Sequence, residues 1–408
     1  MKSLLTTFLL LFIGFPCLAN ESTFRFGTPS DVGLSHDSFQ QLDDALDKES
    51  HRLHALLVVK DGVLAYERYF DDEFTMVGYE QYQYVNHDAQ QPHLLFSSTK
   101  SVMSILAGVA LQQGFIDSTE KPIVELLPEY AGLMQGSAKS MTLQHALDMA
   151  IGIDFDEWQA VENGASRLQA GHPWYDFSHI AEKDRMAFIF NRGMRYAPGE
   201  TFQYSGAAVE LTAKSIEAAT KMRLDAFASQ YLFNPLGITT NTWLQRAGGG
   251  IAYDWGLSLT ARDFAKLGQL YLNQGEWNGA QLVDKQWIEE SYDAAFLNVS
   301  SGMSYSRYWY HPFFRLRPES IFQRVFADPV WIPALMSHGY GNQILFIFPE
   351  QEMIVVMFAG EWLHKPNLTW HSPLKIQKIM AAPFKLVADY ILPAALGKEI
   401  EFVSKNQK

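Results

Sequence analysis

Ser97 and Lys100 stand three residues apart at the head of a long apolar run, HLLFSSTKSVMSILAGVALQQG, from His93 to Gly114. From Val102 to Leu111 only Ser104 is polar, which predicts a helix buried on most faces and ended near Gly114. Ser97 is expected at its first turn, where residues three apart share a face. A hydroxyl, an amine and the helix's free N–H groups would meet there. A lysine in the first turn opposes the helix dipole, so chemistry explains it better than stability does. S-x-x-K is an arrangement in which Ser is the nucleophile and Lys helps take its proton.

Spacing alone decides little. At average residue usage a chain this long holds about one or two such matches by chance. Ser118-Thr119-Glu120-Lys121 and Ser372-Pro373-Leu374-Lys375 also fit. The first looks like a surface turn before Pro122, and the second like the start of an amphipathic helix. Neither has a buried helix behind it. For Ser97 itself the plain alternative is a helix cap, with Ser98 and Thr99 as rival caps and Lys100 as a solvated charge. On these residues alone, capping and catalysis are evenly balanced.

The 408 residues are 48% hydrophobic and 19% charged, ample for one large domain or two moderate ones. A net charge of −13 with no basic cluster argues against nucleic-acid binding. Met1 to Ala19, MKSLLTTFLLLFIGFPCLA, reads as a signal peptide. Its apolar run is too short to span a bilayer, and Cys17 and Ala19 are small residues suited to cleavage after Ala19. Acylation of Cys17 is the weaker alternative, because Phe15-Pro16 is a poor approach to a lipoprotein site. Cleavage would remove Lys2 and the only cysteine, leaving a cysteine-free chain of net charge −14. Thiol catalysis, disulfides and Cys-ligated metals are then excluded. Bacterial export, to the periplasm, is the expectation.

The elements that must position Ser97 come from both ends of the chain. Ser35 to Glu49 reads as a helix with Phe39, Leu42 and Leu46 on one face. Leu53 to Phe70 reads as a β-hairpin around Asp61-Gly62. Residues 71–92 have no clear period and are expected to be a loop. Helical patterns dominate from Ile123 to about Asp293, including a helix capped by Thr142, another from Ala207 to Thr220 and one opened by Thr260. Residues Ile153 to Tyr175 are irregular, with Asp154, Glu157, Trp158 and Trp174 decorating a surface loop or lining a pocket. Gly341 to Gly360 reads as two strands around Pro349-Glu350-Gln351-Glu352, and a last helix is expected from Leu374 to Leu392, broken near Pro383. One antiparallel α/β (α+β) domain follows over residues 20–408. Its sheet part would span about 35–96 and 300–395, with a mainly helical part, about 97–299, inserted. No H-E-x-x-H, G-x-S-x-G or P-loop occurs, and the 12 His lack metal spacing. No metal or cofactor is expected.

In order along the chain, LLFSSTKSVMSILAGVAL, MTLQHALDMAIGIDFDEW, RYAPGETFQYSGAAVELTAKSIEAAT, PLGITTNTW, GLSLTARDFAKLGQLYLNQGEWNGAQLV and GYGNQILFIFPEQEMIVVMFAG resemble the serine β-lactamase-like hydrolases. That group contains the class C β-lactamases, penicillin-recognising carboxypeptidases, family VIII-type esterases and 6-aminohexanoate-dimer hydrolases. The resemblance covers nearly all of the chain after Ala19. It implies the β-lactamase/transpeptidase-like fold, Ser97 as nucleophile, and Lys100 and Tyr204 as proton-transfer groups. It implies an oxyanion hole from the Ser97 N–H and an N–H of the third motif, Ser337-His338-Gly339-Tyr340-Gly341. Glu157 and Trp158 fall where the dimer hydrolases keep substrate-contacting residues.

Two departures stand out. The family's Y-x-N is here Tyr204-Ser205-Gly206, and its K-T-G triad is replaced around His338 and Gly339. A neutral His338 would hold a substrate carboxylate poorly. The resemblance therefore points to a small-molecule ester or amide substrate. The alternatives are a peptidoglycan D,D-peptidase or weak β-lactamase, and, from another class, a catalytically silent penicillin-recognition-type binding protein. The oligomeric state is not legible in the sequence.

Overall fold

The computed structural model describes residues 24–48, 52–75, 82–85, 87–155, 157, 170–298, 303–318, 329–360 and 382–403. A nine-stranded sheet forms its centre. In chain order its strands are β1 (Arg25–Phe26), β2 (Leu53–Lys60), β3 (Val63–Tyr69), β4 (Phe296–Asn298), β5 (Met303–Ser306), β6 (Trp309–His311), β7 (Leu335–Gly339), β8 (Gln343–Phe348) and β9 (Met353–Ala359). They lie in the order β1-β3-β2-β9-β8-β7-β6-β5-β4. Every pairing is antiparallel except β1 with β3, which is parallel and departs from the expected antiparallel sheet.

The central strands β8 and β9 are buried along their whole length, which is why both read as unbroken apolar runs. Alternate residues of β8 serve opposite faces. Leu345 meets Gly268 on a helix, Ala261–Leu272, whereas Phe346 stacks edge-on against Phe384 of the C-terminal helical segment. Helix α1 (His36–Lys48) buries Phe39, Leu42 and Leu46, the face read from the sequence, and Phe39 packs on Tyr66 of β3. The chain between β3 and β4 is mainly helical and holds helix α2 (Thr99–Gln112), α3 (Leu143–Leu147), α4 (Gly206–Thr220) and α5 (Ala261–Leu272).

Helix α2 is the apolar run of the sequence, and every residue from Thr99 to Ala110 is buried. Gly108 permits this packing. A Cβ there would lie 2.8 Å from the Trp287 ring and 2.9 Å from Val283. Thr142 caps α3 and Thr260 caps α5 by accepting from the N–H three residues on, as their sequence patterns predict. The expected loop at 71–92 is instead partly paired, with Asp72–Thr75 antiparallel to Tyr82–Val85. Each strand is only four residues long, DEFT and YQYV, too short for periodicity to mark it. The described part of the last helix covers 382 to 396, with Pro383 in its first turn, and widens to π geometry at Val387–Ile391. Its expected first half, from Leu374, lies outside the described residues, as does Ser372 with Lys375.

Buried imidazoles should make the fold acid-sensitive. His54 Nδ1 lies 2.7 Å from His93 Nε2, and His87 stacks on His54 at 4.0 Å. Burial, then the neighbouring imidazoles, pushes His93 well below its ordinary value, and burial pushes His311 down to about 4 against the pull of Asp293. The unfolded chain takes up these protons near the ordinary value of about 6.5, and the folded chain resists them. The stabilising contribution is therefore complete above about pH 6.5 and is lost as pH falls toward the folded values. Thermal unfolding between pH 7.5 and about pH 5 should show the midpoint falling with acid. His311→Gln should flatten that fall, and an unchanged slope in the variant would refute the assignment.

Candidate active site

Ser97 precedes the long helix rather than opening it. A single 3₁₀ turn, Phe96–Ser98, leads into α2 at Thr99. The turn is forced by what lies on either side. Strand pairing holds His93–Leu94 against Leu257–Leu259, and the Leu95 N–H still donates to the Leu257 carbonyl at 2.8 Å. The chain must then reverse, and Phe96 does so with a left-handed φ of +48°. For a non-glycine residue that conformation costs roughly 1–3 kcal/mol and persists only where the surroundings impose it.

Hydroxyls supply the restraint. Ser98 Oγ donates to the Gln343 carbonyl at 2.6 Å, Ser101 Oγ to the Tyr308 carbonyl at 2.8 Å, and Ser337 Oγ to the Ser98 carbonyl at 3.3 Å. Thr99 Oγ1 accepts from the Leu257 N–H. Ser98 and Thr99, the rival caps of the sequence, thus anchor the turn to neighbouring strands. Gly339 completes the contact. A Cβ there would sit 2.0 Å from the Leu95 carbonyl oxygen and 3.1 Å from the Ser98 nitrogen, so only glycine lets β7 lie this close to the turn.

Lys100 is buried to 3% exposure. Its Nζ donates to Ser97 Oγ at 3.3 Å and to the Asp254 carbonyl at 2.8 Å, and stands 4.8 Å from the centre of the Tyr204 ring. The structure thus brings Ser97, Lys100 and Tyr204 to one point. Tyr204 arrives on an extended stretch whose Gln203 N–H donates to the Met149 carbonyl at 2.7 Å, and Ser205 then caps α4 through the Ala207 N–H. Tyr305 of β5 lies close by. Its phenol is held protonated, by burial first and then by Tyr310 and Tyr204.

The other predicted residues are placed as follows. Glu157 is buried, and its Oε1 accepts from the Gly206 N–H at 2.6 Å, so it backs the Tyr204 turn. Trp158 lies outside the described residues. His338 sits on β7, paired to Ile344, with Nε2 3.1 Å from Asn342 Oδ1 and its ring edge-on to Tyr310. Burial lowers its pKa, with the Asn342 contact opposing, so the ring is neutral near pH 7. Gly341 and Asn342, with φ of +76° and +68°, form the tip of the β7–β8 turn. Phe96 meets Tyr340 edge-on at 5.6 Å, and Trp174 and Trp255 lie 6.2 Å apart in a small apolar cluster with Leu94 and Ala252. Among the described residues no group of three or more His, Cys, Asp or Glu is placed to hold a metal ion, and no helix is long and apolar enough to cross a membrane.

Sequence reasoning missed the charges behind Lys100. Asp254, Arg246, Glu210 and Arg185 are all buried and follow one another as alternating signs. Lys100 Nζ is 4.0 Å from Asp254 Oδ2, and Asp254 Oδ1 is bound by Arg246. Arg246 Nη2 is 3.9 Å from Glu210 Oε2, and Arg185 Nη1 is 3.4 Å from Glu210 Oε1. The available signal was Glu210 itself, a carboxylate in the apolar stretch AAVELTA.

The beta-lactamase family model matches residues 39–362, most of the chain. The protein belongs to the beta-lactamase family. Within it, a 6-aminohexanoate-dimer hydrolase from Paenarthrobacter ureafaciens is 28% identical over 232 residues, 53% of this chain and 57% of that protein, so the chain spans little more than half of that relative. Among solved structures, a Bacillus anthracis protein classed provisionally with the 6-aminohexanoate-dimer hydrolases superposes with a TM-score of 0.57 at 21% identity, over 88% of this chain and 87% of that one. EstCE1, a hydrolase with promiscuous acyltransferase activity, gives 0.57 at 12% identity over 84% and 97%. These structures share the β-lactamase/transpeptidase-like fold, the architecture that the sequence motifs imply.

The close approach at β7 is directly testable. Gly339→Ala should leave the protein folded by circular dichroism yet lower hydrolytic turnover at least tenfold, because the new methyl must push β7 away from Leu95 and Ser98. Unchanged turnover would show that this spacing does not matter to the site.

Proposed function

We propose that the chain is an exported serine hydrolase that cleaves esters or small amides through an acyl-enzyme on Ser97. The observation that carries this reading is the single point at which Lys100 Nζ, Ser97 Oγ and the Tyr204 ring meet, with Lys100 within hydrogen-bond reach of the hydroxyl. Lys100, when neutral, takes the Ser97 proton as Oγ bonds to the substrate carbonyl carbon. Tyr204 relays that proton to the departing alcohol or amine as its bond to the carbonyl breaks. Water, giving its proton back along the same groups, then releases the acid and restores Ser97. The Ser97 N–H and an N–H from the stretch His338 to Gly341 would hold the oxyanion, at about 3 kcal/mol for a donor.

Substrate preference follows from what surrounds the point. His338, neutral through burial, supplies no cation for a substrate carboxylate, and Gly206 presents no side chain to a substrate amide. Both features favour a neutral ester or small amide over a β-lactam or a peptidoglycan stem. The aromatic residues Phe96, Tyr340, Trp174 and Trp255 favour an apolar acyl or leaving group. The relative from Paenarthrobacter, named for hydrolysis of an amide dimer, and EstCE1 support the ester or amide class. Removal of Met1 to Ala19 as a signal peptide, with release to the periplasm, belongs to the same proposal.

Hydrolysis of a short-chain p-nitrophenyl ester by the protein lacking Met1 to Ala19, beside Ser97→Ala, tests the nucleophile. The variant should lose roughly a thousandfold or more of the turnover. Equal rates would remove Ser97 from the mechanism, and turnover of nitrocefin with none of the ester would favour the β-lactamase alternative. Labelling of Ser97 by a fluorophosphonate without turnover of any ester or amide would favour the binding-protein alternative.

A further inference from the structure

The chain of buried charges ends on Lys100, and Asp254 is its last link. Two of its groups address the lysine, the carbonyl oxygen at 2.8 Å and carboxylate Oδ2 at 4.0 Å. The other carboxylate oxygen is bound by Arg246, whose Nη1 also donates to Ser178 Oγ at 3.3 Å and whose guanidinium lies 4.4 Å over the Phe177 ring. Arg246 first, then Lys100, holds the Asp254 carboxyl below the usual carboxylate range against the opposing effect of burial. Asp254 is therefore an anion near neutral pH.

Space for that anion is made by a missing side chain. A Cβ on residue 206 would lie 2.9 Å from Asp254 Oδ2 and 3.2 Å from Glu157 Oε1. The backbone of Gly206 is not left-handed, so conformational freedom does not require glycine here. The carboxylates do. Any larger residue would push Asp254 Oδ2 from its place beside Lys100, or displace the Glu157 oxygen that accepts from the Gly206 N–H.

We propose that Asp254 is the positioning residue of this site: clamped by Arg246 and given room by Gly206, its carboxylate fixes Lys100 beside Ser97 and sets the pH at which Lys100 can accept a proton. The inference rests on the reading of Ser97 as nucleophile and Lys100 as base. An anion at 4.0 Å favours the ammonium form of the amine, so base activity must wait for higher pH. Among the described residues, further ionisable groups lie around Lys100. Tyr204 lies under it, Tyr305 stands behind Tyr204, and Glu157 is held across Gly206. Arg246 and Glu210 lie beyond Asp254.

The test follows fluorophosphonate labelling of Ser97 and ester turnover across pH 5–10, in wild type, Asp254→Asn and Glu210→Gln. Asp254→Asn should move the pH of half-maximal labelling down by about 1 to 3 units, the effect of removing an opposite charge at this range, and should lower the plateau rate at least tenfold. Glu210→Gln breaks the same buried chain one link further away and should leave the half-maximal pH in place, whatever it does to stability. A shift in both variants, or in neither, overturns the proposal. Gly206→Ala should lower the plateau in the wild-type background and cost distinctly less beside Asp254→Ser, where the nearer of the two crowded oxygens is gone and only Glu157 Oε1 remains. Additive losses in that pair would also count against it. Absence of labelling in wild type would instead defeat the hydrolase reading itself, an outcome distinct from all of these.

Discussion

Helix α2 is buried along its length, and that burial governs the site. A helix start excluded from water must find partners inside the protein for its free N–H groups and for every polar side chain near them. Here the lysine in its first turn is 3% exposed, so its ammonium cannot be solvated. Its partners become Ser97 Oγ, the Asp254 carbonyl and carboxylate, and the face of Tyr204. The need to satisfy a buried amine thus assembles the groups to which the proposed acyl transfer assigns its steps. Hydroxyls of Ser98, Thr99 and Ser101, each bonded to a neighbouring segment, leave Ser97 as the residue of that run pointing at the amine.

The alternating chain behind Lys100 follows from the same constraint. One buried cation calls for one buried anion, and Asp254 then needs Arg246, which is shared with Glu210, which is shared with Arg185. Buried ion pairs are poor sources of stability, because desolvation consumes most of the Coulombic gain. Glu210 illustrates the cost. Burial pushes its pKa upward despite Arg246, Arg185 and Lys214 around it. Since such a network is a weak source of stability, one that ends on the amine beside Ser97 is better understood through the amine than through the fold.

Legibility in the sequence tracked the physical signal at each place. The run from Val102 to Leu111 announced a buried helix because a surface helix would show polar residues at helical spacing. The caps at Thr142 and Thr260, and the strands on either side of Pro349, were readable for equally local reasons. Asp72–Thr75 and Tyr82–Val85 were not, since strands of four residues are too short for periodicity to mark them. Ser97, Lys100 and Tyr204 were readable as a set only through several ordered motifs, because Tyr204 follows Ser97 by 107 positions and no local pattern bridges them. Asp254 and Arg246 were invisible. In sequence each is one charged residue in a Gly-rich stretch, and their meaning comes from where the fold carries them.

Glycine residues 206 and 339 show what sequence comparison alone would misjudge. Set against a Y-x-N box, Gly206 reads as a loss, and set against K-T-G, His338-Gly339 reads as a degraded motif. In the structure each absent side chain is occupied space. At 339 it is filled by the Leu95 carbonyl, which brings β7 against the Ser97 turn, and at 206 by the Asp254 and Glu157 carboxylates. The positions that look empty are where the backbone and the charges come closest. The space that a side chain at 206 would take is thus held by carboxylates delivered from other elements. The chemistry at such a place differs from that of an amide side chain: a carboxylate favours the charged form of a neighbouring amine far more strongly than a neutral amide does, which is the basis of the pH dependence proposed for Lys100.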